Sequence, residues 1–567
     1  MRLSPILLRH VTLELVRHAL LTTAILVLVT AFGVTVQHYA RGQLSAVDTL
    51  RFMLYATVPM LAYALPFAGS FAATLAYHRL GQDRELMAAQ AQGVSAAALL
   101  APAAGLGLAL AVTLSGLNEQ VIPRFLHRMA EVVSSQAASL ITRSIGKGEA
   151  VAAEDFLIYA DRAIRPSQPA DGVQTQLRLL GAHLIKLKDD GSMDSWGAGA
   201  TADLWILPPS EGEVRGMRYS EVLYRVQDAV GDAGPLADGR MGVLEGTWTM
   251  PGGFGDDPKY LTFGQLRRAY HDPDPLSMID SRRRDLAFRL AQRLAVNRIV
   301  DAMRSGGAAH FQTASDDTLV LRAGGIRWDE QAEAWRLAPR QGPGGSGTVE
   351  IETYRTDPTG ARAMDRFRAR RATIDASLRG EPGSRGLDLT IDAQAVRSDV
   401  ATDAQGRQSE GGVRKEMAFG PLTLSEDPVS RCLGMTSVQL FAAVAEQDRR
   451  WGEGGDPFLR PAADELRDRI ARLRREITSK RHERMAMSAS ALVMALAGAV
   501  VAMRLVHTPP LVAYLWSFFP ALATVLLISG GQQLTHDVGV PGLVMLWGGV
   551  GGLAIATGVT FVLTTRH

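Results

Sequence analysis

ALLTTAILVLVTAFGVTV, residues 19–36, runs for eighteen positions without a formal charge. A helix needs roughly 20 mostly apolar residues to cross a bilayer core. A cleaved leader has a shorter apolar core, about 7–15 residues. The stretch therefore reads as a membrane span, and the rest of the chain is read outward from it. Phe52–Tyr77, which includes Pro59 and Pro66, and Val94–Leu117 are equally free of charge. Three more such stretches lie near the other end: Met485–Met503, Leu505 to about Leu534, and Val538–Thr565. The middle one starts near Pro509–Pro510, because proline is tolerated in the first turn of a helix. The spans are placed at 19–38, 52–77, 94–117, 485–503, 509–532 and 538–564.

Basic residues orient such spans. Arg2, Arg9 and Arg17 precede the first span, Arg79 and Arg84 follow the second, Arg504 follows the fourth and Arg566 follows the sixth. The opposite side has Arg41 and Arg51, and its last loop holds Asp537 without Lys or Arg. Both termini are expected in the cytoplasm, with residues 119–460 outside it, since long domains translocate regardless of charge. Across 567 residues, 60 basic and 58 acidic groups nearly cancel, so the whole chain does not read as nucleic-acid-binding. The single cysteine, Cys432, excludes an intramolecular disulfide framework.

The middle alternates with period two. Leu387, Leu389, Ile391 and Ala393 interleave with Asp388, Thr390 and Asp392, and Val349 and Ile351 with Glu350 and Glu352. Ala182–Leu187 leads through Asp190–Gly191 to Leu204–Leu207, and Thr318–Arg322 with Trp335–Leu337 reads as two strands around Gly324–Gly325. Such runs between turn signals predict a β-sandwich or open β-roll. Pro339–Gly347 and Thr402–Gly412 read as loops. Ser281–Met303 reads as a basic amphipathic helix with Leu286, Leu290 and Leu294 on one face, packed on the sheet or laid on a membrane. Residues 461–484 form a second, connecting helix. Its seam is Leu466, Ile470, Leu473 and Ile477, with Glu465–Arg469 and Asp468–Arg472 as opposite charges four apart.

Energy for moving a cargo has no visible source in this chain. Gly146–Lys147 is followed by Gly148, and position 141 is Ile141, so no phosphate loop forms. Gly105, Gly107, Gly548, Gly549, Gly551 and Gly552 lie within spans and are expected to allow close helix packing. No zinc motif, nucleophile elbow or buried span carboxylate stands out. No enzyme, cofactor or metal is expected, and a partner would supply the energy.

Between the second and third spans stands HRLGQDRELMAAQAQGVSAAALLAP, residues 78–102. Residues 83–93 read as a short helix ended by Gly93, with Ser95 capping the next. A solvated turn is the plain reading; a helix that docks into a partner is the sharper one. RELMAAQAQGVS resembles the signature of the LptF/LptG permease family, the membrane subunits of the ABC transporter that exports lipopolysaccharide. Glu85, Leu86, Ala88, Ala91, Gly93 and Ser95 match it, while Arg84 replaces the usual serine. Asn118–Glu119, MTSVQL (Met435–Leu440), HERMAM (His482–Met487) and GVPGLVMLWGG (Gly539–Gly549) are similar too.

The resemblance implies a membrane α-helical fold of six transmembrane helices, three and three, with a large extracytoplasmic β-jellyroll-like domain inserted between helices 3 and 4. The family's β domain is less than half as long. The excess is expected as insertions, including Tyr260–Met303 and the loops near 340 and 405. It also implies a multi-pass protein of the inner membrane that extracts lipopolysaccharide or a related glycolipid. Its partners would be a cytoplasmic ABC ATPase dimer, a second LptF/LptG-type subunit and a periplasmic LptC/LptA-type bridge reached through an exposed strand edge. Arg84, Glu85, Leu86, Ala89 and Gly93 would couple to the ATPase. Arg41 and His38 would meet lipid phosphates, or else anchor the interface. The competing reading is a non-transporting membrane scaffold or sensor with a large β ectodomain.

Overall fold

A computed structural model describes residues 5–40, 46–134, 142, 144–146, 148–153, 156–166, 175–187, 192–206, 210–211, 218–231, 240–251, 257–313, 317–330, 334–340, 347–356, 362–378, 386–398, 401–402, 408–409, 412–424, 426–452 and 455–565. The helices are α1 (Pro5–Ala40), α2 (Ala46–Gln82), α3 (Glu85–Ala91), α4 (Ala96–Leu99), α5 (Ala101–Gly116), α6 (Ile122–Ser134), α7 (Phe263–His271), α8 (Ser277–Gly306), α9 (Val429–Leu433), α10 (Ser437–Trp451), α11 (Arg460–Arg504), α12 (Pro510–Val538) and α13 (Val540–Thr565). Six described helical stretches are long and apolar enough to cross a membrane: Leu8–Ala40, Val47–Gln82, Ala101–Met129, Arg460–Arg504, Pro510–Val538 and Val540–Thr565. The chain divides into two compact units, Met1–Ser277 with Ile470–His567, and Met278–Arg469.

In the first unit, α5 and α6 are joined by a π-helical turn, Leu117–Val121. Pro123 has no N–H and its ring would clash with the carbonyl four residues back in a regular helix. Widening the preceding turn absorbs that clash. Buried Asn118 sits in this turn, its side-chain N–H reaching the carbonyl of Arg484 and the hydroxyl of Ser488, both at 3.5 Å.

Helix packing relies on glycine at particular faces. Gly107 meets Leu492 and Ala495, and Gly549 meets Leu527. Gly105, Gly548, Gly551 and Gly552, also expected to pack, have nothing within 4 Å of a Cβ position. Successive helical residues point about 100° apart, so a glycine run cannot face one neighbour throughout. Gly498 and Gly542 make very close approaches between helices, Gly498 against the Ser70 carbonyl and Gly542 against the Thr535 backbone N–H. Carboxylates do occur inside the span helices, at their less apolar ends. Glu14 of α1 pairs with Arg79 at 2.8 Å, and Glu483 of α11 with Lys480 at 3.0 Å.

Eight strands of the first unit form one antiparallel sheet: β1 (Val151–Ala153), β2 (Phe156–Tyr159), β3 (Arg162–Ile164), β4 (Thr175–Leu187), β5 (Met193–Ile206), β6 (Ser210–Glu211), β7 (Arg218–Gly231) and β8 (Arg240–Pro251). The expected β4–β5 pairing is present, with Leu187 opposite Met193; Asp190–Gly191 lies outside the described residues. Inward-facing Leu177, Leu179, Leu184, Leu204 and Val226 build its core.

Among the described residues, the second unit holds eleven strands: β9 (Ala309–Thr313), β10 (Thr318–Arg322), β11 (Gly325–Asp329), β12 (Ala334–Ala338), β13 (Val349–Thr356), β14 (Arg362–Ala369), β15 (Arg371–Leu378), β16 (Leu387–Ser398), β17 (Ala401–Thr402), β18 (Gln408–Ser409) and β19 (Val413–Thr423). The strand-rich middle thus contains two sheets, with the helical residues of α7 and α8 between them in the chain. Pairings β16–β19–β9–β10–β13–β14 and back to β16 close a six-stranded ring, with β15, β12 and β11 extending from it. Phe367 and Phe419 meet edge-on at 5.2 Å.

Thr318–Arg322 and Trp335–Leu337 are not hairpin partners. The residues between them form β11, which pairs with β12, while β10 pairs with β9 and β13. Thr402–Gly412, expected as a loop, contributes β18 opposite β17.

Helix α8 packs on this sheet, with Gln292 donating to the Ala376 carbonyl at 2.8 Å. Leu286 and Leu290 are fully buried, but Leu294 is only half-buried. Two steps of four residues carry Leu294 about 80° round from Leu286, whereas seven residues return to within about 20°. Arg293 therefore turns inward, lies between Trp335 and Trp451 at 5.1 and 4.6 Å, and sits 2.6 Å from fully buried Asp456. Burial pushes the Asp456 carboxyl up, against the pull of Arg293.

Helix α11 continues without a break from the amphipathic residues into the apolar ones. Leu466, Ile470, Leu473 and Ile477 are all buried, as their spacing predicts. Glu465, expected to meet Arg469, bridges Arg282 at 3.0 Å. Burial pushes the Cys432 thiol up to about 11, which keeps it an unreactive core residue.

Glu352 supplies a pH dependence in this unit. Burial alone would raise its carboxyl. Hydrogen bonds from Arg366 and Tyr354, and the charges of Arg366 and Arg322, outweigh burial and hold it below the usual range. A depressed carboxylate stabilises the fold above its unfolded value and loses that contribution as pH falls. Acid unfolding of the unit, read by tryptophan fluorescence, is therefore expected to begin below about pH 4.3. Glu352→Gln should remove about 1–2 kcal/mol at neutral pH, the lower range because its arginines are partly exposed, and flatten the acid limb. An unchanged acid limb would refute this.

Candidate functional site

The connection between α2 and α5 is built into the helix core of the first unit. Tyr77, one turn before the end of α2, donates its hydroxyl to the Leu99 carbonyl at 2.6 Å, which ties α2 to α4. Ser95 caps α4 by accepting from the Ala98 N–H at 3.2 Å. Gly93 adopts φ 84°, the left-handed turn that separates α3 from α4.

Helix α3 has only seven residues, too short to hold its shape from propensity alone. Leu86 and Ala89, three apart, anchor it in a core with Val11 and Leu15 of α1, Tyr77 and Leu80 of α2, Leu106 of α5, and Ala499 and Ala502 of α11. Its opposite side is open: Glu85, Met87, Ala88, Gln90 and Ala91 are exposed, Met87 by 52%. Glu85 begins the helix, where the dipole favours a carboxylate. A cavity of about 510 Å³ opens beside it, lined by Gln90, Ser95, Val500, Met503 and Phe561.

Arg84 stands at the cap position of α3 with φ 62° and makes no side-chain cap. This is the position where the resemblance implied serine, a capping residue. A residue with a Cβ pays about 1–2 kcal/mol in this left-handed conformation. Arg84→Gly is expected to slow amide exchange of residues 85–91 by roughly tenfold, in proportion to that relief. Unchanged exchange would show that the conformation carries no cost.

The structure brings Arg84, Glu85, Leu86, Ala89 and Gly93 together on this one short segment, with Leu86 and Ala89 on its buried side. His38 lies elsewhere, near the end of α1, its ring 4.8 Å from Phe52. Arg41 lies outside the described residues. Sequence reasoning missed the Arg79 link: Arg79 of α2 bonds Glu14 of α1 at 2.8 Å and approaches Asp83 at 3.7 Å. Of these contacts, only the four-residue spacing of Arg79 and Asp83 was readable in advance.

Six apolar helices with strand-rich segments between the third and fourth in chain order define a multi-pass membrane protein. Residues 8–178, which include all of the segment just described, match the family model of the lipopolysaccharide export system permease LptF/LptG. The resemblance carried by RELMAAQAQGVS is thereby shown for that part of the chain. No curated protein matches the chain.

Proposed function

We propose that this protein is a permease subunit that extracts lipopolysaccharide, or a related glycolipid, from the inner membrane and passes it to a periplasmic bridge. A separate ATPase dimer on the cytoplasmic side supplies the work. The observation that carries this reading is α3: one side is set into a core shared by α1, α2, α5 and α11, and the other is exposed. A push on such a helix moves four longer ones, because packed cores transmit displacement.

The subunit would pair with a second LptF/LptG-type chain or with itself. The two would enclose a cavity for acyl chains, entered beside the first and fifth spans. Exposed Leu20, Leu21, Ile25, Leu28 and Phe32 on α1, and Leu511, Leu515 and Phe519 on α12, are apolar surfaces suited to lipid or to a second subunit. Each CH₂ withdrawn from the bilayer costs about 0.8 kcal/mol, so extraction needs external energy.

Purification of the intact protein in mild detergent, with mass spectrometry of bound proteins and lipids, tests the reading. Co-purification of an ABC ATPase and ATP-dependent loss of a bound glycolipid are expected. A chain that carries neither would instead be a scaffold or sensor.

A further inference from the structure

Acidic and basic residues balance over the second unit as a whole, but arginines concentrate around one end of β16, where Glu416 of β19 also stands, opposite Gln394. β15 and β14 border the same edge of β16: β15 pairs with Leu387 to Gln394, and β14 with Arg397 and Ser398. Arg370 is the corner between the two strands, its N–H donating to the Gln394 carbonyl at 3.2 Å. Arg371 stands opposite Gln394, and Arg368 directly opposite Arg397. On the other edge of β16, Arg414 of β19 stands opposite Val396. Arg368, Arg370, Arg371, Arg397 and Arg414 thus gather around four residues of β16, and all five are exposed. Arg368 has Glu350 at 3.6 Å. Among the described residues, the other four form no ion pair with a carboxylate.

Like charges directly opposite each other destabilise a sheet, and β16 is strained at the same place. Leu387, Leu389, Ile391 and Ala393 are its buried side chains, in regular alternation. Continued alternation would send Arg397 inward. Ala395 instead adopts φ 52°, a conformation costly for any residue with a Cβ. Beyond it, Val396 is buried and Arg397 exposed. The pairing with β19 keeps one register across this point, Gln394 with Glu416 and Val396 with Arg414. Ala395 therefore reverses the alternation and sets Arg397 on the outer face beside Arg368. Strain held in place by surrounding structure is characteristic of functional sites.

We propose that this seam is a phosphate-binding surface that takes the phosphate groups of a glycolipid headgroup. The planar guanidinium fork matches phosphate oxygens bidentately. A dianionic phosphate between Arg368 and Arg397 offsets the repulsion that the sheet otherwise carries. Assignment of the phosphate to a glycolipid rests on the permease reading; the phosphate chemistry does not.

The test uses the full chain in detergent and the combined variant Arg371→Gln, Arg397→Gln and Arg414→Gln. Binding of phosphorylated lipopolysaccharide is compared with binding of the same lipid stripped of phosphate. The variant is expected to bind the phosphorylated lipid at least about tenfold more weakly and the stripped lipid as the parent does. Inorganic phosphate should displace the difference. Equal binding by variant and parent overturns the proposal. So does equal competition by phosphatidylglycerol or by a polyglutamate peptide, which would indicate general anion attraction. Arg397→Gln alone should leave the melting temperature unchanged or higher, since it removes a like-charge pair; a clear fall would make the arginine structural and also overturn it. Phosphate-dependent binding without ATP-driven release from the parent would sink the permease reading and leave the site standing.

Discussion

Glu85→Lys is expected to abolish ATP-driven lipid release while the protein still inserts and folds. Glu85 is exposed at the start of α3. Its carboxylate is placed to accept charge-assisted bonds from a basic groove on an ATPase, worth about 1.5–3 kcal/mol each when desolvated. Reversing the charge replaces attraction by repulsion, so association should weaken by roughly 10- to 100-fold or more. Glu85→Ala should show a smaller loss of the same kind. If the residue only complements its own helix dipole, either change costs a few tenths of a kcal/mol and transport continues. ATPase association and lipid release, followed separately in the purified complex, separate these cases. Normal values for both would end the coupling role.

Gly498→Val is expected to destabilise the helical part of the first unit strongly. A Cβ at Gly498 would stand 2.3 Å from the Ser70 carbonyl oxygen and 2.9 Å from the Thr74 hydroxyl. Those groups belong to a buried polar node: the hydroxyls of Ser70 and Thr74 lie 2.8 and 2.9 Å from that of Ser517. The node joins α2, α11 and α12, and backbone atoms cannot yield as a flexible side chain can. Overpacking costs about 1–3 kcal/mol where neighbours adjust, and here the helices must separate. Unfolding of the purified chain in increasing SDS should shift to much lower SDS. Gly552→Val, whose Cβ would meet nothing within 4 Å, is the control and should unfold as the parent does. Equal behaviour of the two variants would refute the account.

The sequence by itself determined the elements whose signal is local. Uncharged stretches about as long as a bilayer is thick have one stable form, so the six apolar helices were readable from composition. The strands at Val349–Ile351 and Leu387–Ala393 were readable because period two has no other common cause. The short helix that carries Glu85, Leu86 and Ala89, and the turn at Gly93 that ends it, were readable because their signals lie within one contiguous segment.

Only the tertiary structure decided which partner each element takes. Trp335–Leu337 pairs with β11 and β15, not with Thr318–Arg322, because strand pairing depends on distant hydrogen bonds that no spacing encodes. A glycine run shows small residues but not the face they present, so Gly498 proved closer to a neighbour than Gly551 or Gly552. Arg397 follows an alternating run that predicts burial, and one left-handed residue, Ala395, turns it outward. Arg368 and Arg397, 29 positions apart in the chain, meet because antiparallel pairing closes the ring there, and charges brought together by closure leave no periodic mark in the sequence.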